Sequence, residues 1–164
     1  MNYTVIVAED EELLLNNLVH KIEKADPDFQ VIGTAQTGAQ ALSLVEQMSP
    51  DVVFTDIKMP VMDGITLLTR IRDQFPFTKF VITSGFSDFK YAKKAITLKV
   101  SDYLLKPVDP DELQNVLLKI KQELQIKRDD YETVFAQVLP ACHRDRLQSF
   151  SRTSWYRIMQ RIST

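Results

Sequence analysis

Five side chains in this 164-residue chain could do chemistry together: Glu9, Asp10, Asp56, Ser84 and Lys106. Glu9 and Asp10 open the acidic stretch Glu9–Glu12, after a short apolar run. Asp56 follows Val-Val-Phe-Thr, Ser84-Gly85 follows Phe-Val-Ile-Thr, and Lys106-Pro107 follows Tyr-Leu-Leu. Gathered carboxylates repel one another and lose hydration. Two things would make such a cluster tolerable. One is a hard divalent cation; Mg²⁺ takes a few carboxylates together with waters and phosphate oxygens. The other is Lys106, a compact cation able to pair with a carboxylate or a phosphoryl oxygen. A carboxylate nucleophile beside Mg²⁺, a lysine and a hydroxyl is a phosphoryl-transfer arrangement, and Asp can form an aspartyl phosphate. Taken singly, each residue has a plainer reading. Residues 9–12 could be the charged first turn of a helix, Asp56 a cap, Lys106 a solvated loop lysine and Ser84-Gly85 an ordinary loop pair. Their recurrence at successive strand ends argues for a shared site.

The elements that must position them follow from hydrophobic spacing. Short runs recur at Thr4–Ala8, Phe29–Thr34, Val52–Thr55, Phe80–Thr83 and Tyr103–Leu105. Most are apolar on consecutive residues, as in strands buried on both faces. Between them lie helical stripes. These are Leu14, Leu18 and Ile22; Ala41, Leu44, Val45 and Met48; Ile65, Leu68 and Ile71; Tyr91, Ala95 and Leu98; and Leu113, Val116, Leu117, Ile120 and Leu124. Asp109 as N-cap, with Pro110 behind it, marks the start of the fifth helix. Asp63 reads as a turn or capping residue, and Gly64 suits a tight turn into the third helix. Gly85 leaves space for a phosphoryl group and for movement of Ser84. Five strands alternating with five helices predict an α/β fold, a doubly wound parallel sheet with right-handed crossovers. Such a sheet places its site outside the carboxyl ends of the strands.

From about Asn2 to Leu124 the chain resembles the receiver domain of two-component response regulators. The matching pieces are Val-Ala-Glu-Asp-Glu at 7–11, Asp-Val-Val-Phe-Thr-Asp-Ile-Lys-Met-Pro-Val-Met-Asp-Gly at 51–64, Val-Ile-Thr-Ser-Gly-Phe at 81–86 and Asp-Tyr-Leu-Leu-Lys-Pro at 102–107. The resemblance implies a flavodoxin-like sheet of strand order 2-1-3-4-5. It implies Asp56 as phospho-acceptor and Glu9, Asp10, Asp56 and the backbone carbonyl of Lys58 as Mg²⁺ ligands. It further implies Ser84 as switch hydroxyl, Tyr103 as switch aromatic, Lys106 as the family's lysine, and a cis Lys106–Pro107 peptide. Glu9 departs from the commoner Asp-Asp pair, and its longer arm would alter water-mediated contacts more than metal binding. The segment 87–96 looks like receivers attached to AraC-type, YesN-like transcriptional regulators. In receivers the fourth helix, fifth strand and fifth helix form the signalling face, here about 88–124, carrying Lys90, Lys93, Lys94 and Lys99. A plain solvated helix face is the alternative for these lysines.

The resemblance implies a sensor histidine kinase as donor and no turnover of an external substrate. A homodimer could form through 88–124 or through an extended last helix. A stand-alone phosphorelay receiver is the alternative. An Asp-nucleophile phosphohydrolase is disfavoured, because position 58 holds Lys where such enzymes commonly carry a second Asp. A nucleotide- or flavin-binding module is disfavoured too, because four acids rather than a glycine-rich loop follow the first strand.

Composition bounds the rest. The net charge is −2, with one cysteine and two distant histidines, so a disulfide framework and a local His or Cys metal site are excluded. No stretch approaches a membrane span, and the amino terminus lacks the pattern of a signal peptide; a cytoplasmic protein without membrane partners is expected. The charge is uneven: residues 143–164 hold five Arg and one Asp. We divide the chain into a receiver, 1–125, and a helical linker or tail, 126–164. Tyr131, Val134, Phe135, Val138 and Leu139 continue a helical spacing before Pro140. The tail is too short for a complete output domain, so DNA contact would need an output part not complete in this chain.

Overall fold

The computed structural model describes residues 2–85 and 89–138, with side chains except at 89, 90, 92 and 127–138. Five strands alternate with five helices: β1 Tyr3–Ala8, α1 Glu12–Ala25, β2 Phe29–Ala35, α2 Gly38–Met48, β3 Val52–Asp56, α3 Gly64–Ile71, β4 Lys79–Ser84, α4 Phe89–Thr97, β5 Asp102–Leu105 and α5 Pro110–Val138. All strand pairs are parallel, in the order β2-β1-β3-β4-β5. This is the expected doubly wound sheet. The chain leaves β1 toward β2 on one side and reaches β3 on the other, so the switch point lies between β1 and β3.

Burial explains the apolar runs. Val5–Ala8 and Val52–Phe54 are fully buried, as strands covered by helices on both faces must be. Each buried Val, Ile or Phe contributes about 2 kcal/mol of hydrophobic free energy. Below the sheet's reactive edge the core is closed by Leu67, Leu68 and Ile71 of α3 and by Leu113, Leu117 and Ile120 of α5.

Two stripes differ from the sequence reading. In α1 the core takes Leu15, Leu18 and Ile22, while Leu14 is 39% exposed. The run Leu13-Leu14-Leu15 offers three registers, and spacing alone does not choose among them. In α2 Met48 sits at the helix end and is exposed. The caps are as read. Asp63 Oδ1 accepts from the Thr66 N–H at 2.7 Å, and Asp109 Oδ1 accepts from the N–H groups of Asp111 and Glu112. Thr37 caps α2.

Whether the fifth helix stops near 125 or continues is settled within the described residues: it continues to Val138. Among the described residues the chain divides into two units between Ile120 and Lys121. Leu139, Pro140 and the arginine-rich segment 143–164 lie outside the described residues, as does 86–88.

Candidate functional site

Strand register sets four of the five reactive residues in a row. Ala8 pairs with Thr55, so Glu9 and Asp56 come next, side by side. Asp56 pairs with Thr83, which puts Ser84 one step beyond. Ser84 pairs with Leu105, and the Lys106 N–H donates to the Ser84 carbonyl at 2.8 Å. Asp56 and Ser84 are thus the last residues of their strands rather than the first after them. Their backbones are held by the sheet ladder, which fixes them more firmly than a loop would.

The side chains converge. One carboxylate oxygen from each of Glu9, Asp10 and Asp56 lies within 4.8 Å of the others. Glu9 and Asp56 are buried, and Asp10 is exposed. The Lys106 ammonium pairs with Glu9 Oε2, and with Asp56 Oδ2 at 3.2 Å. Glu9 therefore uses its longer arm to reach Lys106 directly. Asp56 Oδ1 accepts from the Ile57 N–H at 2.7 Å, which turns Oδ2 toward the cluster. Of residues 9–12, only Glu12 lies in the first turn of α1; the first-turn reading does not cover Glu9 or Asp10.

Burial raises the pKa of Glu9 above the ordinary glutamate value, because desolvation outweighs the hydrogen bond and charge of Lys106. For Lys106, burial works toward a lower pKa. The hydrogen bond to Glu9 and the charges of Asp56 and Glu9 outweigh it and leave the pKa raised. The ammonium therefore stays charged across the physiological range. Three carboxyl groups against one ammonium leave this edge acidic. A divalent cation matches that charge, and the all-oxygen donor set matches Mg²⁺ in type. A shallow cavity of about 410 Å³ opens beside it, lined by Asp10, Ile57, Lys58, Met59, Pro60, Asp63 and Tyr91.

Ser84 is fully buried at the end of β4. Tyr103 is half-buried in β5, opposite Ile82. The Lys106–Pro107 peptide is cis.

Residues 5–118 match the family described as response regulator receiver domain. The chain belongs to the response regulator receiver family. Its relatives include an uncharacterized transcriptional regulatory protein, YesN, of Bacillus subtilis (strain 168). That protein is 37% identical over 128 residues, covering 78% of this chain and 34% of the relative. The transcriptional regulatory protein HptR of Staphylococcus aureus (strain NCTC 8325 / PS 47) is 35% identical over 141 residues, covering 86% and 54%. This chain thus spans between about a third and just over half of these relatives. Among solved structures, the REC domain of AraT, a response regulator from Geobacillus stearothermophilus, matches with TM-score 0.73 and 36% identity. The match covers 78% of this chain and 99% of that one. A phospho-accepting receiver fits the family and the site alike.

Some residues around the site carry no chemical signature, and their spacing does not reveal their role. Gly64 suits a tight turn by type, yet no glycine here has a positive φ. A Cβ on Gly64 would lie 2.0 Å from the Asp56 carbonyl oxygen, so the site needs glycine for close approach. Gly64→Ala is expected to destabilise the protein by about 3 kcal/mol through overpacking and to displace Asp56. Thermal melts and phosphoryl uptake measure both. Lys21 Nζ donates to the Val108 carbonyl at 2.8 Å, tying α1 to the loop after Lys106. Nothing in local spacing announces a contact between residues so far apart. Gly38 is a third case; as one of only four glycines, it had scarcity as its one available signal.

Proposed function

We propose that Asp56 accepts a phosphoryl group from a histidine kinase, with Glu9, Asp10, Asp56 and the Lys58 carbonyl holding Mg²⁺. The bridging of Glu9 and Asp56 by Lys106, beside Asp10 and an open cavity, is the observation that carries this reading. Mg²⁺, when bound, neutralises charge on phosphoryl oxygens. An Asp56 carboxylate oxygen attacks phosphorus, the new O–P bond forms, and the P–N bond to the donor imidazole breaks. Lys106 is already charged and placed to pair with an equatorial phosphoryl oxygen. Ser84 donates its hydroxyl to another such oxygen, and Tyr103 repacks with it. The protein turns over no external substrate.

The experiment is incubation of the full chain with phosphoramidate and MgCl₂, followed by intact-mass analysis. A gain of one phosphoryl group, lost with EDTA, supports the reading; no gain refutes it.

Phosphorylation would shift the population of the signalling face. Ile96 on α4, Leu105 on β5 and Leu118 on α5 are 78%, 47% and 47% exposed, an apolar content that favours homodimerisation through these elements or the extended α5. Gel filtration is expected to show earlier elution with beryllofluoride and Mg²⁺; an unchanged volume counts against this dimer. The names of the relatives support transcription regulation as the output, exerted in the cytoplasm on DNA through a further domain.

A further inference from the structure

We propose that Gly38, at the first turn of α2, is a positioning residue for the Lys58 carbonyl and acts on it through Met62. This rests on the metal-site reading above. The loop from Ile57 to Asp63 carries that carbonyl. Its base is closed by the Gly64 N–H, which donates to the Ile57 carbonyl at 2.9 Å. Further along, the Met62 N–H donates to the Pro60 carbonyl at 2.7 Å. That bond wraps the chain around Val61, whose φ is 68°.

This tight turn is a strained one, and a β-branched residue is poorly suited to its centre. Such a conformation persists only where the surroundings over-determine it. Val61 is 88% exposed, so side-chain packing does not hold it there. The constraint comes from the backbone. The Gly38 N–H donates to the Met62 carbonyl at 3.1 Å, and a Cβ on Gly38 would lie 2.3 Å from that same oxygen. Gly38 has no positive φ, so contact, not conformational freedom, demands glycine. Gly38 and Gly64 thus pin the two ends of the loop, and Val61 is the spring between them. A side chain at 38 pushes Met62 away, Val61 relaxes toward an extended conformation, and the loop no longer holds the Lys58 carbonyl where the metal-site reading requires it.

The test measures Mn²⁺ binding to the full chain by electron paramagnetic resonance, with Mg²⁺ in competition, alongside thermal melts. Gly38→Ala is expected to weaken binding about tenfold, the lower range for loss of a group that orients a ligand. Val61→Asn, suited to a left-handed φ, is expected to raise Tm by about 3 °C with affinity unchanged. In the double variant Val61→Asn removes the spring and recovers most of the lost affinity. Gly33→Ala is the control, because the atoms nearest its Cβ belong to the flexible Leu44 side chain, at 3.3 Å, and to Ile6; it leaves affinity unchanged. If the wild-type chain binds no Mn²⁺, the metal-site reading itself fails. If the wild type binds and folded Gly38→Ala binds equally well, or the double variant shows no recovery, the positioning role is overturned. Should Gly38→Ala not fold, Val61→Asn decides: an unchanged or lowered Tm means there is no spring and overturns the proposal.

Discussion

An Asp56→Asn variant is expected to lose phosphoryl uptake from phosphoramidate by at least about a thousandfold, which corresponds to about 4 kcal/mol of activation free energy. The amide keeps the shape. Asn Oδ1 can still accept from the Ile57 N–H, which Asp56 Oδ1 now meets at 2.7 Å. What changes is the atom facing the cluster. Asp56 Oδ2 lies 3.2 Å from the Lys106 ammonium; an NH₂ there is neither a nucleophile nor a partner for a cation. Lys106 then pairs with Glu9 alone. The fold should survive, because one carboxylate has left a crowded group and Lys106 still compensates Glu9. Tm without divalent cations should therefore be equal or higher, while Mg²⁺ affinity falls as one of three carboxylates is lost. Intact-mass analysis after phosphoramidate treatment checks the first expectation, and peptide mapping checks the site. Uptake at the wild-type rate, or a phosphoryl group mapped to Asp10, would remove Asp56 from the acceptor role.

Strand register explains why this site is legible in the sequence. In a parallel sheet the strand ends are brought level by pairing. A residue type placed just after one apolar run is therefore a neighbour of residues placed just after the adjoining runs. Glu9, Asp56, Ser84 and Lys106 obey that rule step by step. Less legible were properties that depend on close approach between backbones. Gly38 and Gly64 sit against carbonyl oxygens of Met62 and Asp56, and no periodicity encodes such contact. Leu14 differs for another reason: with three leucines in a row, the choice of core register belongs to the sheet surface beneath α1. The strain at Val61 was invisible because Val is a poor choice for a left-handed turn, and local propensity points away from what the fold imposes.

Lys106→Met is the second large expected effect, and it separates the lysine's two roles. Lys106 pairs with both Glu9 and Asp56, and the Glu9 side chain is 1% exposed. Removing one partner of a buried pair typically costs about 3–5 kcal/mol, since a charge is left uncompensated. The pH dependence follows from the directions of the shifts. Glu9 has a pKa raised by burial, so the native state holds its proton more tightly than the unfolded chain does. Stability on this account falls as pH rises from about 4.5 through the raised native value. Lys106 has a pKa raised above 10.5, so its contribution is full below that value and is lost as pH rises through the native one. Without Lys106, the Glu9 penalty deepens and its window extends upward. The Tm deficit of Lys106→Met should then be about 10 °C at pH 8 and should shrink as pH falls and Glu9 takes up its proton. Millimolar Mg²⁺ should recover much of the deficit, because a ligand that binds only the native state stabilises it by mass action. Phosphoryl uptake behaves differently: loss of a preorganised cation at the transferring group costs about a hundredfold in rate, and added Mg²⁺ does not restore it. A variant as stable as wild type at pH 8 without divalent cations would show that the ammonium does not compensate Glu9. A variant that Mg²⁺ restores in both stability and rate would show that Lys106 serves the resting cluster and not the transfer.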